Sequence, residues 1–283
     1  METIAVVAMG EMGVGIARRL VERGARVVTS LANRSSASVE RARAAGVQSL
    51  SDRDVIEEAS VFLSIVPPVA AADTALRFLP YIAEKKGRCT FIDCNAVAPQ
   101  TVQAMAVAYT ERGLPFGDAS IIGLAPRADG YSPRIYMSGT VASEAALLER
   151  HGLEVRVLSE RLGEASALKM AYAGITKGFQ AVAAAMILGA ARSNASEAFV
   201  AELKDTQAGH YGWLSKVLPG MYGKAYRWND EMREIASFLQ PEEGSVAMLE
   251  GAAQLYEHVA RDNREGPDSE ILAAINSFVA LGR

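Results

Sequence analysis

The sequence predicts an α/β protein: a Rossmann-type, doubly wound parallel sheet followed by an all-α C-terminal domain. Three observations carry that expectation. Short apolar runs alternate with helical stretches through roughly the first 160 residues, the pattern of βαβ units. A glycine cluster follows the first run, where a strand turns into a helix. Beyond Gly163 the apolar residues fall at steps of three and four, the period of a helix. The expected domains are residues 1–161, holding a dinucleotide, and 162–283, contributing to substrate binding and dimerisation. A chain of 283 residues suits two domains of about 100–200 residues each.

In chain order, Ile4-Ala5-Val6-Val7-Ala8-Met9 is a continuous apolar run, as a parallel strand covered on both faces requires. Glycines at 10, 13 and 15 come next, then a helix over residues 14–23, ended by Gly24. Residues 26–30 read as the second strand. The polar turn Asn33-Arg34-Ser35-Ser36 leads into a helix stopped by Gly46. Residues 61–66 form a strand halted by Pro67-Pro68, and residues 90–94 form another, with Pro99 opening the next helix. Shorter strand candidates lie at 116–122, 134–138 and 154–158. Leu168, Tyr172, Ile175, Phe179, Val182 and Met186 then trace one apolar stripe of a long helix over 163–192. The remainder reads as helices broken at Pro219-Gly220, Gln240-Pro241 and Gly266-Pro267.

Half of the residues are hydrophobic and 22% are charged, with a net charge of −4. That balance fits a globular protein with a sizeable core, and nothing in it favours nucleic acid or an anionic membrane as partner. The longest apolar stretch, 181–191, falls short of the ~20 residues a span needs. Its alanines call for close helical neighbours, and a homodimer is expected to supply some of them. The opening apolar run is too short for a secretory leader. Cys89 and Cys94, five apart, should face opposite sides of the sheet as reduced core residues of a cytoplasmic protein. No spacing of His, Cys, Asp or Glu suggests a metal.

The turn Ala8-Met9-Gly10-Glu11-Met12-Gly13 is the strongest local signal. Glycines there let a pyrophosphate approach backbone amides at a helix N-terminus, so Gly10, Glu11, Met12 and Gly13 are expected to bind a dinucleotide. The usual first glycine of the pattern is Ala8. An NAD binder carries an acid about 20 residues on, to accept from the ribose 2′-hydroxyl. No acid occurs between Glu22 and Glu40; Asn33-Arg34-Ser35 stands there instead. A guanidinium and a hydroxyl suit a 2′-phosphate, which points to NADP over NAD.

With these residues the chain resembles the β-hydroxyacid dehydrogenase superfamily, which includes 6-phosphogluconate dehydrogenase and, more distantly, imine reductases. Met9-Gly10-Glu11-Met12-Gly13 is similar to its opening fingerprint, Ser64-Ile65-Val66-Pro67 to the segment along the cofactor, and Ile92-Asp93-Cys94-Asn95 to the strand end beside the nicotinamide ribose. Gly163 through Lys169 resembles the start of its long inter-domain helix. The run from Lys169 to Gly178 resembles a phosphogluconate-dehydrogenase-like branch with its own C-terminal domain. The resemblance implies hydride transfer with a nicotinamide cofactor. It places Val66, Pro67 and Asn95 on that cofactor, Asn95 and Ser120 towards substrate, and Lys169 as general acid/base. Two departures matter. After Asp118-Ala119, Ile122 stands where the family's substrate-binding serine would be, just before Gly123. Tyr172 and Ala173 stand where its asparagine would be. A small anionic hydroxy or keto compound other than a simple 3-hydroxy acid is therefore expected.

Lys169 lies in the first turns of the long helix, where the positive end of the dipole disfavours an ammonium, as suits a proton-transfer group. Tyr172 and Thr176 stand at i+3 and i+7 on the same stripe. Lys177 is rotated by about 80° from Lys169 and is expected to reach the same substrate. Proton donation by Tyr172 would suit an imine reductase. Loss of the usual substrate groups would suit a non-catalytic NADP sensor. His210-Tyr211-Gly212-Trp213 reads as a helix junction and His151 as a helix cap.

Overall fold

The computed structural model describes residues 2–265 and 269–282. The expected break at Gly266-Pro267 lies outside them. The chain divides into two compact units, one ending at Met170 and the other beginning at Ala171.

The first unit is an eight-stranded sheet in the order β3-β2-β1-β4-β5-β6-β7-β8. Its strands are β1 (Thr3–Val7), β2 (Arg26–Ser30), β3 (Gln48–Leu50), β4 (Val61–Ser64), β5 (Thr90–Asp93), β6 (Phe116–Ile122), β7 (Arg134–Ser138) and β8 (Glu154–Ser159). All neighbours pair in parallel except β6 and β7, which are antiparallel, so the expected parallel sheet is mixed at one place. The helices α1 (Glu11–Glu22), α2 (Ser36–Ala44), α3 (Asp52–Glu58), α4 (Ala71–Glu84), α5 (Pro99–Thr110) and α6 (Ala142–Arg150) connect the strands. The strands' period of two sorts the core onto two faces. Ile4, Val6, Leu63, Ile92 and Ala119 meet α1, α2 and α6 on one side. Val7, Phe62, Phe91 and Phe116 meet α3, α4 and α5 on the other. Phe62, Phe91 and Phe116 stack in sequence at 5.0 and 5.6 Å, and Tyr109 closes the stack, its hydroxyl donating to the Ala75 carbonyl at 2.7 Å. Cys94 packs with the first face and Cys89 with the second, both as free thiols; burial pushes the Cys89 thiol up to about 12.

The long helix α7 (Glu164–Arg192) starts in the first unit and continues into the second. It is the one helix among the described residues long and apolar enough to cross a membrane, at a mean hydropathy of 1.3. Both its lysines have protein partners, Lys169 the Ile121 carbonyl and Lys177 the Glu231 carboxylate. The second unit adds α8 (Ser196–Thr206), α9 (Ala208–Met221), α10 (Ala225–Phe238), α11 (Glu243–Glu265) and α12 (Glu270–Ala280). The break expected at Pro219-Gly220 is displaced: Pro219 lies inside α9, which runs on to Met221 before a 3-10 turn over Tyr222–Lys224. A proline near a helix end removes one amide without ending the helix. The break at Gln240-Pro241 falls where expected, between α10 and α11. Tyr211 is buried, donating to the Phe278 carbonyl at 3.2 Å, and Phe179 stacks on Trp213 at 5.7 Å, so the His210–Trp213 segment is a helix junction. His151 is the C-cap residue of α6, its ring bonded to the Arg23 carbonyl and to Glu2.

Helical periodicity alone would put the stripe Tyr172, Ile175, Phe179, Val182 and Met186 in the core. It is exposed instead, Ile175 at 76% and Met186 at 58%. The opposite side of α7, through Ala173, Ala181, Ala184 and Ile187, is the buried one.

Candidate active site

The carboxyl ends of the strands gather the site of the first unit. Register sets Val7 beside Ser64, Ser64 beside Asp93, and Asp93 beside Asp118, in one row across the sheet. The loops after β1, β4 and β5 therefore start from the same margin, and β6 runs past it to Ile122. The strand order reverses between β1 and β4, the switch point at which doubly wound sheets bind ligands.

Gly10 is the N-cap of α1 in an extended conformation, with no side chain capping the helix. Glu11, Met12 and Gly13 therefore form the first helical turn, three residues earlier than the sequence pattern implied. A Cβ on Gly10 would meet nothing within 4 Å, whereas one on Gly13 would strike the Ala8 carbonyl oxygen. Gly13 thus allows the helix to close on the strand end, and Gly10 leaves open the space over the amides. That division fits a dinucleotide pyrophosphate at a helix N-terminus. The loop after β6 lies over the same helix: Pro126 and Ala125 pack on Gly15, and Arg19 donates to the carbonyls of Arg127 and Tyr131 at 3.1 and 3.2 Å.

Asn95 is buried and braces the strand ends. Its amide nitrogen donates to Ser64 Oγ at 3.2 Å and to Asp93, and its Oδ1 accepts from the Val66 amide at 2.6 Å. Both donors are thereby used inside the protein. Asn95, expected as a direct ligand, thus holds the Val66 amide in place after β4.

Strand β6 anchors the start of α7 at two points. The buried Asp118 carboxylate accepts from Ser166 Oγ at 2.7 Å, Ser138 Oγ at 2.8 Å, and the amides of Gly163 and Ser166 at 3.1 Å each. Burial raises its carboxyl above the ordinary aspartate value, and these bonds oppose that rise. One turn on, Lys169 Nζ donates to the Ile121 carbonyl at 2.9 Å. Ser120 lies wholly buried on β6, its hydroxyl without a partner among the described residues. Ile122 is half-buried. Gly123 is exposed at a φ of 131°, a left-handed conformation that glycine tolerates, and a Cβ there would strike the Tyr131 hydroxyl.

Residues 3–149 match the NAD-binding domain of 6-phosphogluconate dehydrogenase, more than half of the chain. The chain belongs to the 6-phosphogluconate dehydrogenase family of NAD-binding dehydrogenases. Residues 190–259 of this family member match a domain of unknown function, DUF1932. It is 30% identical to a conserved protein of unknown function whose structure is similar to 3-hydroxyacid dehydrogenases; the match covers 93% of this chain and 98% of that one, with a TM-score of 0.70. It is 26% identical over 235 residues to an uncharacterized 28.5 kDa protein of Methanothermus fervidus, covering 82% of this chain and 89% of that one. A 3-hydroxyisobutyrate dehydrogenase of Mycobacterium tuberculosis shares the fold, at 17% identity and a TM-score of 0.71 over 98% and 99% of the two chains.

In this family member the end of β2 is more crowded than the sequence suggests. Asn33 takes a left-handed φ of 59°, Ser35 caps α2 by accepting from the Ser38 amide at 3.3 Å, and Arg34 is half-buried with its Nε unpartnered among the described residues. Arg41 of α2 donates to the Met9 carbonyl at 2.8 Å, tying α2 to the phosphate-binding turn. Asp52, the first residue of α3, reaches Ser30 at the end of β2 and is bound by Arg77 of α4. Burial would raise its carboxyl, but the bonds from Arg77 and Ser30 outweigh burial and hold it below the ordinary value. Local pattern could not have found Asp52, because only the crossover from β2 to α3 brings it there.

In the second unit Tyr172 is half-exposed, whereas the Thr176 hydroxyl donates back to the Tyr172 carbonyl of its own helix at 2.9 Å. Lys177 is paired with Glu231 and lies 5.4 Å over the Trp228 ring. Both residues, expected to contact substrate, thus have partners within the helical unit. The Thr176 hydroxyl is spent on the helix, and the Lys177 ammonium on a buried carboxylate.

Proposed function

We propose that this dehydrogenase moves a hydride between NADP and a small anionic hydroxy or keto compound, with Lys169 as general acid/base. The observation that carries the reading is the Lys169–Ile121 bond. It fixes an amine at the margin of the sheet that also carries the open turn at Gly10. The amides of Glu11, Met12 and Gly13 would hold the pyrophosphate, Val66 and Pro67 would line the nicotinamide side, and Asn33, Arg34 and Ser35 would face the adenine ribose.

When bound, the dinucleotide supplies or accepts the hydride. The protein's part is the proton. As the alcohol carbon gives up its hydride, Lys169 Nζ takes the hydroxyl proton; in reduction it returns that proton to the carbonyl oxygen. The Ile121 carbonyl accepts one Nζ hydrogen and so orients the amine. Asp118, through Gly163 and Ser166, keeps the helix that carries it against β6. With Ile122 where a serine would read a simple 3-hydroxy acid, the substrate would be an anionic compound of another kind. Two free, buried cysteines accord with a cytoplasmic enzyme.

The test is oxidation of NADPH and NADH against keto acids, semialdehydes and cyclic imines. NADPH-dependent turnover that Lys169→Ala abolishes is expected. Dinucleotide binding with no turnover across the panel would overturn the reading in favour of a sensor. A second reading, imine reduction with Tyr172 as donor, is favoured by its half-exposed ring. In that case Tyr172→Phe, rather than Lys169→Ala, removes activity. We also infer a homodimer, because the exposed stripe from Ile175 to Met186 is more apolar surface than an isolated helix keeps in water.

A further inference from the structure

The preference for NADP rests on a missing acid in the sequence, yet an acid stands at the end of β2. Asp52 Oδ1 accepts from Ser30 Oγ at 2.5 Å and from Arg77 Nη2 at 2.7 Å, and its Oδ2 accepts from Arg77 Nε at 2.7 Å. Arg77 Nη2 also donates to Ser30 Oγ at 3.2 Å, so Ser30, Asp52 and Arg77 form a closed ring of bonds. The guanidinium lies 5.1 Å over the Phe78 ring, which fixes its plane. The Asp52 side chain retains 19% exposure, so it lies near the surface beside the end of β2 rather than sealed in the core.

A dinucleotide-binding sheet tells its two cofactors apart at this place. A carboxylate at the end of the second strand accepts from a 2′-hydroxyl and repels a 2′-phosphate. Asp52 has the position for that role, but both its oxygens are engaged by a bidentate guanidinium. We propose that Arg77 is a specificity-determining residue: by holding Asp52 neutralised and engaged, it turns a pocket built for the 2′-hydroxyl of NAD into one that takes the 2′-phosphate of NADP. This rests on the dinucleotide-binding reading above and supplies its physical cause. Arg34 also acts on Asp52 through its charge, but more weakly than Arg77; with the carboxylate held by Arg77, Arg34 would be left for the phosphate. Among the buried side-chain polar atoms of this cluster, the Nε of Arg34 is the one without a hydrogen-bond partner among the described residues.

A double-mutant cycle read by equilibrium titration of NADP and NAD decides the matter without turnover. Arg77→Met removes the guanidinium and leaves Asp52 with the bond from Ser30 alone. The NAD to NADP affinity ratio is expected to rise about tenfold or more, with NAD itself gaining, as suits one charge-assisted bond exchanged for another. In an Asp52→Asn background the same substitution no longer raises NAD affinity. An unchanged ratio in folded Arg77→Met overturns the proposal, and so does an equal NAD gain with and without Asp52. Should Arg77→Met fail to fold, Arg77→Lys keeps the charge but loses the bidentate grip and is expected to move the ratio part of the way; no movement overturns the proposal. A wild type that binds NAD more tightly sinks the NADP reading by itself, and the coupling between positions 52 and 77 is still decided by the cycle.

Discussion

Lys169 and Lys177 lie eight residues apart on one helix and do different work. Lys169, in the α/β unit, meets the carbonyl of Ile121 at the carboxyl margin of the sheet. Lys177, in the helical unit, meets Glu231 of α10 and the face of Trp228, and Tyr256 of α11 donates to its carbonyl at 2.6 Å. Spacing on a helix assigns a side chain to a face. The element packed against that face decides whether the charge is available for chemistry or consumed by structure. At the sheet margin a single neutral acceptor orients the amine, and in the proposed reading its other hydrogens would serve a ligand. At the helix junction a carboxylate pairs with the ammonium and an aromatic ring lies 5.4 Å from it.

The largest expected effects separate these two lysines. Lys169→Ala should lower turnover by about 10²–10⁴-fold while leaving the melting temperature near that of the wild type. Lys177→Ala should instead cost about 3 kcal/mol of stability, because Glu231 stays buried after its cation is removed. Turnover per folded molecule should change little. Urea unfolding together with single-turnover kinetics reads both quantities. Equal loss of activity from the two substitutions would erase the distinction between the units.

The two glycines of the turn give the next contrast. Gly13→Ala drives a methyl into the Ala8 carbonyl and should destabilise the α/β unit by about 1–3 kcal/mol, the usual range for overpacking. Gly10→Ala has room and an ordinary φ of −73°, so the fold should keep its stability. Dinucleotide affinity should nevertheless fall, because the methyl occupies the approach to the amides. If titration shows Gly10→Ala binding as well as wild type, the pyrophosphate does not sit there.

The units also differ in how much of them can be read from the chain. In the α/β unit, continuous apolar runs, glycine stops and the turn at Gly10 are enough to place β1, α1 and most later strands. Each of those signals is local. β3 escapes because its three residues are exposed or half-exposed at the sheet's edge and carry no apolar run. The reversal at β7 escapes because direction leaves no mark on a five-residue strand. In the candidate site, the turn and Lys169 are legible. Asp118's hold on α7 and Asp52's position at β2 are not, since each depends on a contact between distant segments. The helical unit is harder for a related reason. Periodicity shows that a helix has an apolar stripe but not that anything covers it, and α7 buries Ala173, Ala181 and Ala184 while exposing Ile175, Val182 and Met186.

That exposed stripe yields a smaller, separate effect. Val182→Glu and Met186→Glu together should shift sedimentation from dimer to monomer with little change in the stability of the α/β unit, because both side chains are about half-exposed. A wild-type monomer at micromolar concentration would leave the stripe without this role.

The smallest effect concerns acid, and it distinguishes the two carboxylates of the α/β unit. Asp52 is held below its ordinary value of 3.8, since the bonds from Arg77 and Ser30 outweigh burial. A depressed carboxyl stabilises the fold above that value and loses its contribution as pH falls through the lower, folded one. The stability gap between wild type and Asp52→Asn should therefore be level from about pH 7 to pH 5 and close below 3.8. With the Arg77 side chain 34% exposed, solvent screens the pair, and the gap should be no more than about 1 kcal/mol and shrink in salt. Asp118 runs the other way. Burial raises its carboxyl, so its native form binds a proton where the unfolded chain does not, and its contribution declines as pH rises from 3.8 through the folded value. Acid titration of unfolding in Asp52→Asn and Asp118→Asn should then show gaps to wild type that change with pH in opposite senses. Parallel profiles would mean that the cluster at β2 and the clamp at α7 share one electrostatic origin, and that Arg77 does not set Asp52 apart.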